Sequence, residues 1–63
     1  MMNMSQWIKC SEQLPELDSE GNSDTVLVVG KKGMVLLNFI YHYKWKLPME
    51  VTHWMPMPEL PEE

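Results

Sequence analysis

Val51-Thr52-His53-Trp54-Met55-Pro56-Met57-Pro58-Glu59-Leu60-Pro61 begins with large apolar side chains and passes into alternating prolines. Each proline fixes φ and removes a backbone donor, so the piece is incompatible with a helix or a central strand. Its Trp and Met side chains still need cover from water. The run therefore reads as an extended strap laid across a small core.

The sequence upstream supplies what the strap would cover. Thr25-Val26-Leu27-Val28-Val29 is β-branched with apolar residues on both faces, as in a central strand. Gly30-Lys31-Lys32-Gly33 suits a hairpin connection, with two glycines free to take positive φ. Next, Val35, Leu37, Phe39, Tyr41, Tyr43 and Trp45 alternate with Leu36, Asn38, Ile40, His42, Lys44 and Lys46. The period of two predicts one long strand with its odd residues on the core and its even residues outward. A helix would scatter the aromatics around its circumference. Leu47-Pro48 breaks this strand, and Val51 to Trp54 returns as a short one.

On the N-terminal side, Trp7-Ile8 predicts an edge strand or a pinned arm. Ser11 to Leu14 allows at most one helical turn before Pro15, and the polar stretch Glu16 to Asp24 reads as a surface loop. The expected fold is mainly β, with a small α+β arrangement as the alternative. It is a three- to four-stranded antiparallel sheet, one face packed under the N-terminal Trp arm and the C-terminal proline-rich strap. Residues 1–63 read as a single small domain, with 1–5 frayed and 62–63 a tail.

Composition narrows the function classes. A chain of 63 residues buries only about 60% of its unfolded surface and usually needs a staple or a partner. Its single cysteine, Cys10, cannot close an internal disulfide, which fits a reducing compartment. A homo-oligomer is therefore an option. Five lysines against nine carboxylates give a net charge of −4, which argues against a general grip on nucleic-acid phosphates. Neither a signal-peptide pattern nor a run of about 18 apolar residues is present, so a soluble, cytoplasmic protein without membrane contact is expected.

Trp7-Ile8, Leu14-Pro15, the Val26-Leu27-Val28 strand, Trp45 and the block from Val51 to Pro58 together resemble the domain of unknown function 551 family. The resemblance runs from Trp7 to Pro61, with Thr52-His53-Trp54-Met55-Pro56 as its most specific part. Met57 stands where a Leu is more usual, and the link from Tyr43 to Val51 is short. The resemblance implies a phage or prophage accessory protein in a bacterial host cytosol, and no chemistry.

The chemistry-bearing residues are few. Cys10, His42 and His53 do not have the paired spacing of zinc ligands, and His53 reads as a hydrogen-bonded structural residue. Gly30-Lys31-Lys32-Gly33 leads into a strand, so it is not a phosphate loop. Tyr41, Tyr43 and Trp45 beside Lys44 and Lys46 would make a stacking platform only if they were not needed for the core. Pro58-Glu59-Leu60-Pro61 matches a P-x-x-P ligand but suits an intramolecular strap better. No catalytic residue, cofactor or metal is expected. The reading is a non-enzymatic protein-interaction module for a host or phage protein, with Leu36, Ile40, His42, Met55 and Met57 as candidate contacts. One alternative is a weak single-stranded nucleic-acid binder using Lys31, Lys32, Lys44 and Lys46 with the aromatic strand. The other is a small metal-binding or hydrolytic protein using Cys10, His42 and His53.

Overall fold

The computed structural model describes residues 7–59 and 61. The expected fraying of 1–5 and the tail at 62–63 lie outside the described residues, as does Leu60 of the P-x-x-P match. Among these residues six strands form: β1 (Ile8–Lys9), β2 (Val26–Gly30), β3 (Val35–Asn38), β4 (Ile40–Tyr41), β5 (Lys44–Trp45) and β6 (Val51–Pro56). Four of them make an antiparallel sheet in the order β1-β6-β2-β3, and β4 pairs with β5 as a separate hairpin. No helix forms among the described residues. The backbone at Ser11 goes no further than one turn, with the Glu12 and Gln13 N–H groups both bonding the Lys9 carbonyl.

The short strand expected from Val51 to Trp54 forms and runs on to Pro56. Its place departs from expectation: it is an inner strand held between β1 and β2, so Met55 and Pro56 belong to the sheet rather than to a strap over it. Pro56 is admitted because of where its missing donor would lie. The Cys10 N–H bonds the Thr52 carbonyl, so Thr52 directs its polar groups toward β1. By the two-residue alternation of an antiparallel ladder, Trp54 and Pro56 do the same. Among the described residues β1 reaches along β6 only as far as Ile8 opposite Trp54. The proline therefore costs the β2–β6 ladder nothing. Among the described residues, Met57, Pro58, Glu59 and Pro61 continue beyond the strand, and they are exposed.

A second correction concerns the long alternating run. It is three short strands, β3, β4 and β5, with a turn between the last two, and in β3 the core face is the even one. Opposed residues share a face, and Leu36 opposes Val28 while Asn38 opposes Val26. Val28 and Val26 are buried with Trp54 in the core cluster, against which Ile8, Cys10, Leu36, Trp45, Met49 and Val51 pack. Val35, Leu37 and Tyr41 are each about half-exposed, Tyr43 is more so, and none of the four belongs to the core cluster.

The alternation breaks at Asn38, which is 1% exposed. Its side-chain oxygen accepts the N–H of Phe39 at 2.8 Å and of Leu47 at 3.0 Å, and its amide donates to the Leu47 carbonyl at 3.3 Å. These bonds end β3 and bend the chain so that Ile40 and Trp45 come under the sheet. His42 and Tyr43 then take φ of 51° and 69°, the left-handed pair of a tight hairpin turn. Cover for the core thus comes from residues 40–51 and the segment around Pro15. Of the edge strand or pinned arm expected at Trp7-Ile8, the edge strand forms, as β1 beginning at Ile8.

The loop before β2 is fastened to this hairpin. Ser23 and Ile40 exchange bonds of 2.9 Å, and the Tyr43 N–H bonds the Gly21 carbonyl. Asp18 Oδ1 accepts the Glu20 and Asn22 N–H groups, which hold its carboxyl below the usual range, Asn22 contributing most. Gly21 has φ of +84°, and a Cβ there would come within 2.5 Å of the Tyr43 ring. Left-handed backbone alone costs an alanine about 1–2 kcal/mol, and the ring must also move. A Gly21→Ala variant is therefore expected to melt at least about 5 °C lower, and an unchanged thermal midpoint would show that the loop is not held this way.

Candidate functional site

One face of the sheet packs on the core and the other is open. On the open face, Val29 opposes Val35 on one side and His53 on the other, and His53 opposes Lys9. This makes one cross-strand row through all four strands. Beside it runs a second row, in which Leu27 lies between Leu37 and Met55. Leu27, Val29, Met55 and His53 are partly buried by these neighbours, while Val35 and Leu37 stay 50% exposed. Such cross-strand contacts hold the side chains in fixed places, so the surface is formed in advance. Five apolar side chains lie together, and the polar groups, His53 and Lys9, are confined to the β1–β6 end.

The position of His53 is set by a bulge. Between Val29 and Gly30 the β2–β6 register slips, leaving Thr52 as the extra residue of β6. The Thr52 hydroxyl donates to the Val29 carbonyl at 3.1 Å, and His53 Nδ1 lies 2.9 Å from the same hydroxyl. The contact fixes the orientation of the ring and leaves Nε2 as its second polar atom.

The sequence-selected contact residues separate into different places. Met55 belongs to the open face. Ile40 is only 3% exposed and Leu36 packs on the core cluster, so neither has the exposure expected of it. The error has one cause, the misassigned phase of the strand that Asn38 ends. His42 is exposed at the hairpin tip, its ring edge-on to Tyr41 at 4.1 Å between centroids. Met57 is exposed beyond the end of β6. Leu27, Val29, Val35 and Leu37, which make most of the open face, were missed. The polar Asn38 within an otherwise apolar run was the signal that the aromatics did not continue the same strand.

The alternative constellations also come apart. Cys10 pairs along β6 on the core side, and burial pushes its thiol up, away from the thiolate form. His53 is on the opposite face and His42 at the hairpin tip. Among the described residues no three His, Cys, Asp or Glu side chains cluster as metal ligands would. Tyr41 and Tyr43 are outside the core, contrary to expectation. The Lys46 amine lies 5.5 Å above the Tyr41 ring, and Tyr43 lies against Gly21. Lys44 and Lys46 are at one end of β3, and Lys31 and Lys32 at the other. Lys31 is paired with Glu50 at 3.4 Å. That end also has a groove of about 390 Å³ floored by Met34, Leu36 and Met49. No helix among the described residues is long and apolar enough to cross a membrane.

A family model described as "Protein of unknown function (DUF551)" matches residues 6–62. No curated protein and no solved structure matches the chain.

Proposed function

The chain belongs to the DUF551 family, and from that premise we propose that it is a non-enzymatic protein-interaction module, a phage or prophage accessory protein that binds a host or phage protein in the bacterial cytosol. The observation that carries this reading is the open sheet face of Leu27, Val29, Val35, Leu37 and Met55. A contiguous, pre-formed apolar patch on so small a protein is a surface that favours association with another apolar surface. Its polar end, Lys9 and His53, supplies the directional contacts that fix orientation. The partner chemistry that fits is an apolar face with a carboxylate or hydroxyl at one border, reachable by Lys9 and His53 Nε2.

A double variant, Leu27→Thr with Met55→Thr, tests this. Threonine keeps the strand preference, so cooperative melting is expected to survive. Affinity for the protein retained by the wild-type chain should fall at least about tenfold, since two central apolar contacts are lost. Equal retention of that protein by wild type and variant, measured by calorimetry on the purified pair, would place the contact elsewhere.

A further inference from the structure

The hydrogen-bond pattern identifies which edge of the sheet is unfinished. The Cys10 N–H to Thr52 carbonyl bond continues in register through Lys9 opposite His53 and Ile8 opposite Trp54. Thr52 and Trp54 therefore serve β1, while His53 and Met55 serve β2. Their β2 partners Val29 and Leu27 are turned to β6, which leaves Val28 and Val26 turned to β3. Leu36 and Asn38 answer them. Val35 and Leu37 consequently point their N–H and C=O groups away from the sheet, along the outer side of β3.

Nothing in β3 discourages pairing at that side. Val35-Leu36-Leu37-Asn38 has no charge and no proline, and its register with β2 is free of bulges. Natural edges use those devices to refuse a further strand. No carboxylate occurs from Gly30 to Lys46, so the net charge of −4 is carried elsewhere. The groups flanking the free ones are already engaged. Phe39 gives its N–H to Asn38 Oδ1 and takes the Lys46 N–H on its carbonyl, and Gly33 gives its N–H to the Gly30 carbonyl.

The geometry points to β3 pairing antiparallel with β3 of a second copy, Leu36 opposite Leu36, so that Val35 of each chain bonds Leu37 of the other. In this register the N–H and C=O groups of Val35 and Leu37, which have no partner among the described residues, all find one. A slip that centred on Leu37 would set Val35 against Phe39, whose polar groups are engaged. One centred on Val35 would set Leu37 against Gly33, whose N–H is engaged. A single-residue slip would oppose residues of different faces. The strand is thus its own complement in one register, and the resulting two-fold contact closes on itself. Both open faces come to the same side, and the row Met55, Leu27, Leu37 runs on into Val35 and Val29 of the second copy. A strand edge buries less than the roughly 800 Å² per partner of a standard interface, which places the contact among the weak, transient ones.

Sedimentation velocity from micromolar to millimolar protein, with reductant present for Cys10, should show a concentration-dependent dimer. Hydrogen exchange should protect the Leu36 and Asn38 amides at every concentration, but those of Val35 and Leu37 only where dimer dominates. Leu37→Pro removes an outward donor that the monomer does not use. It should remain folded and become monomeric throughout the range. In case proline disturbs the strand, Val35→Lys/Leu37→Lys should likewise be monomeric, and mixing it with Val35→Glu/Leu37→Glu should give a mixed dimer. A wild-type monomer at millimolar concentration would overturn the proposal. So would a dimer in which the Val35 and Leu37 amides still exchange freely, or their protection only when a different protein is added. The Leu27/Met55 variant leaves these backbone groups intact, so failure of the open-face reading and failure of the edge pairing are separately visible.

Discussion

Replacing Trp54 with alanine is expected to leave the protein largely unfolded at room temperature. Trp54 is 6% exposed in the middle of the core cluster, with Ile8 opposite on one side and Val28 on the other. Its indole N–H also donates to the Gln13 carbonyl at 2.8 Å, tying the turn after β1 to the sheet. Truncating a buried Trp costs about 3–5 kcal/mol. A chain of 63 residues, at roughly 0.05–0.15 kcal/mol per residue, holds on the order of 3–9 kcal/mol in total. The loss takes most of that margin. Trp54→Phe keeps a six-membered aromatic ring in the core and gives up the pyrrole portion with its donor, so it should fold and melt cooperatively, about 1–2 kcal/mol less stable. Circular dichroism melts of the two variants check this. A Trp54→Ala protein melting like the wild type would mean that the indole is not the centre of the core.

The second large effect is expected at Asn38. Its side chain holds the N–H of Phe39 and of Leu47, and nothing apolar can do so. Leaving a fully buried donor unpaired costs about 1–3 kcal/mol; both of these bonds are part-buried, so losing the two should cost roughly 2–4 kcal/mol. Asn38→Leu, which keeps the branching and the number of side-chain heavy atoms, should then be nearly as harmful as Asn38→Ala. Hydrogen exchange should speed up at Phe39 and Leu47 first. If leucine restored stability, packing rather than hydrogen bonding would be the reason for Asn38, and the bend after β3 would need another cause.

These two residues also show what could be read in the sequence. β-Branched content located β2, and the two glycines located its hairpin with β3, because both signals are local. The Trp54 block was legible as apolar and extended. Its place between β1 and β2 was not, since which strands neighbour it depends on pairing across most of the chain. Pro56 argued against an inner strand, and only the position of β1 along β6 makes it harmless. The alternation from Val35 to Trp45 was a real signal read one strand too long. A buried Asn ends β3 by bonding its own neighbours, and the tight turn at His42–Tyr43 returns the chain. A periodicity count cannot see either event. The candidate contacts moved with that phase, so Met55 alone remained on the open face.

The sheet order has a consequence for how the chain reaches its folded state. β6 is the last strand in sequence yet stands between β1 and β2. Before residues 51–56 arrive, β1 has nothing to pair with and β2–β3 is a lone hairpin, marginal in water by itself. Closure over long sequence separations must be met before any of it is rewarded, which slows folding relative to a sheet of successive hairpins. Assembly is thereby made all-or-none. While β6 is missing, β2 offers a bare apolar edge on one side of the hairpin and β3 offers another, so the slow step of folding is also the one most exposed to capture by other chains.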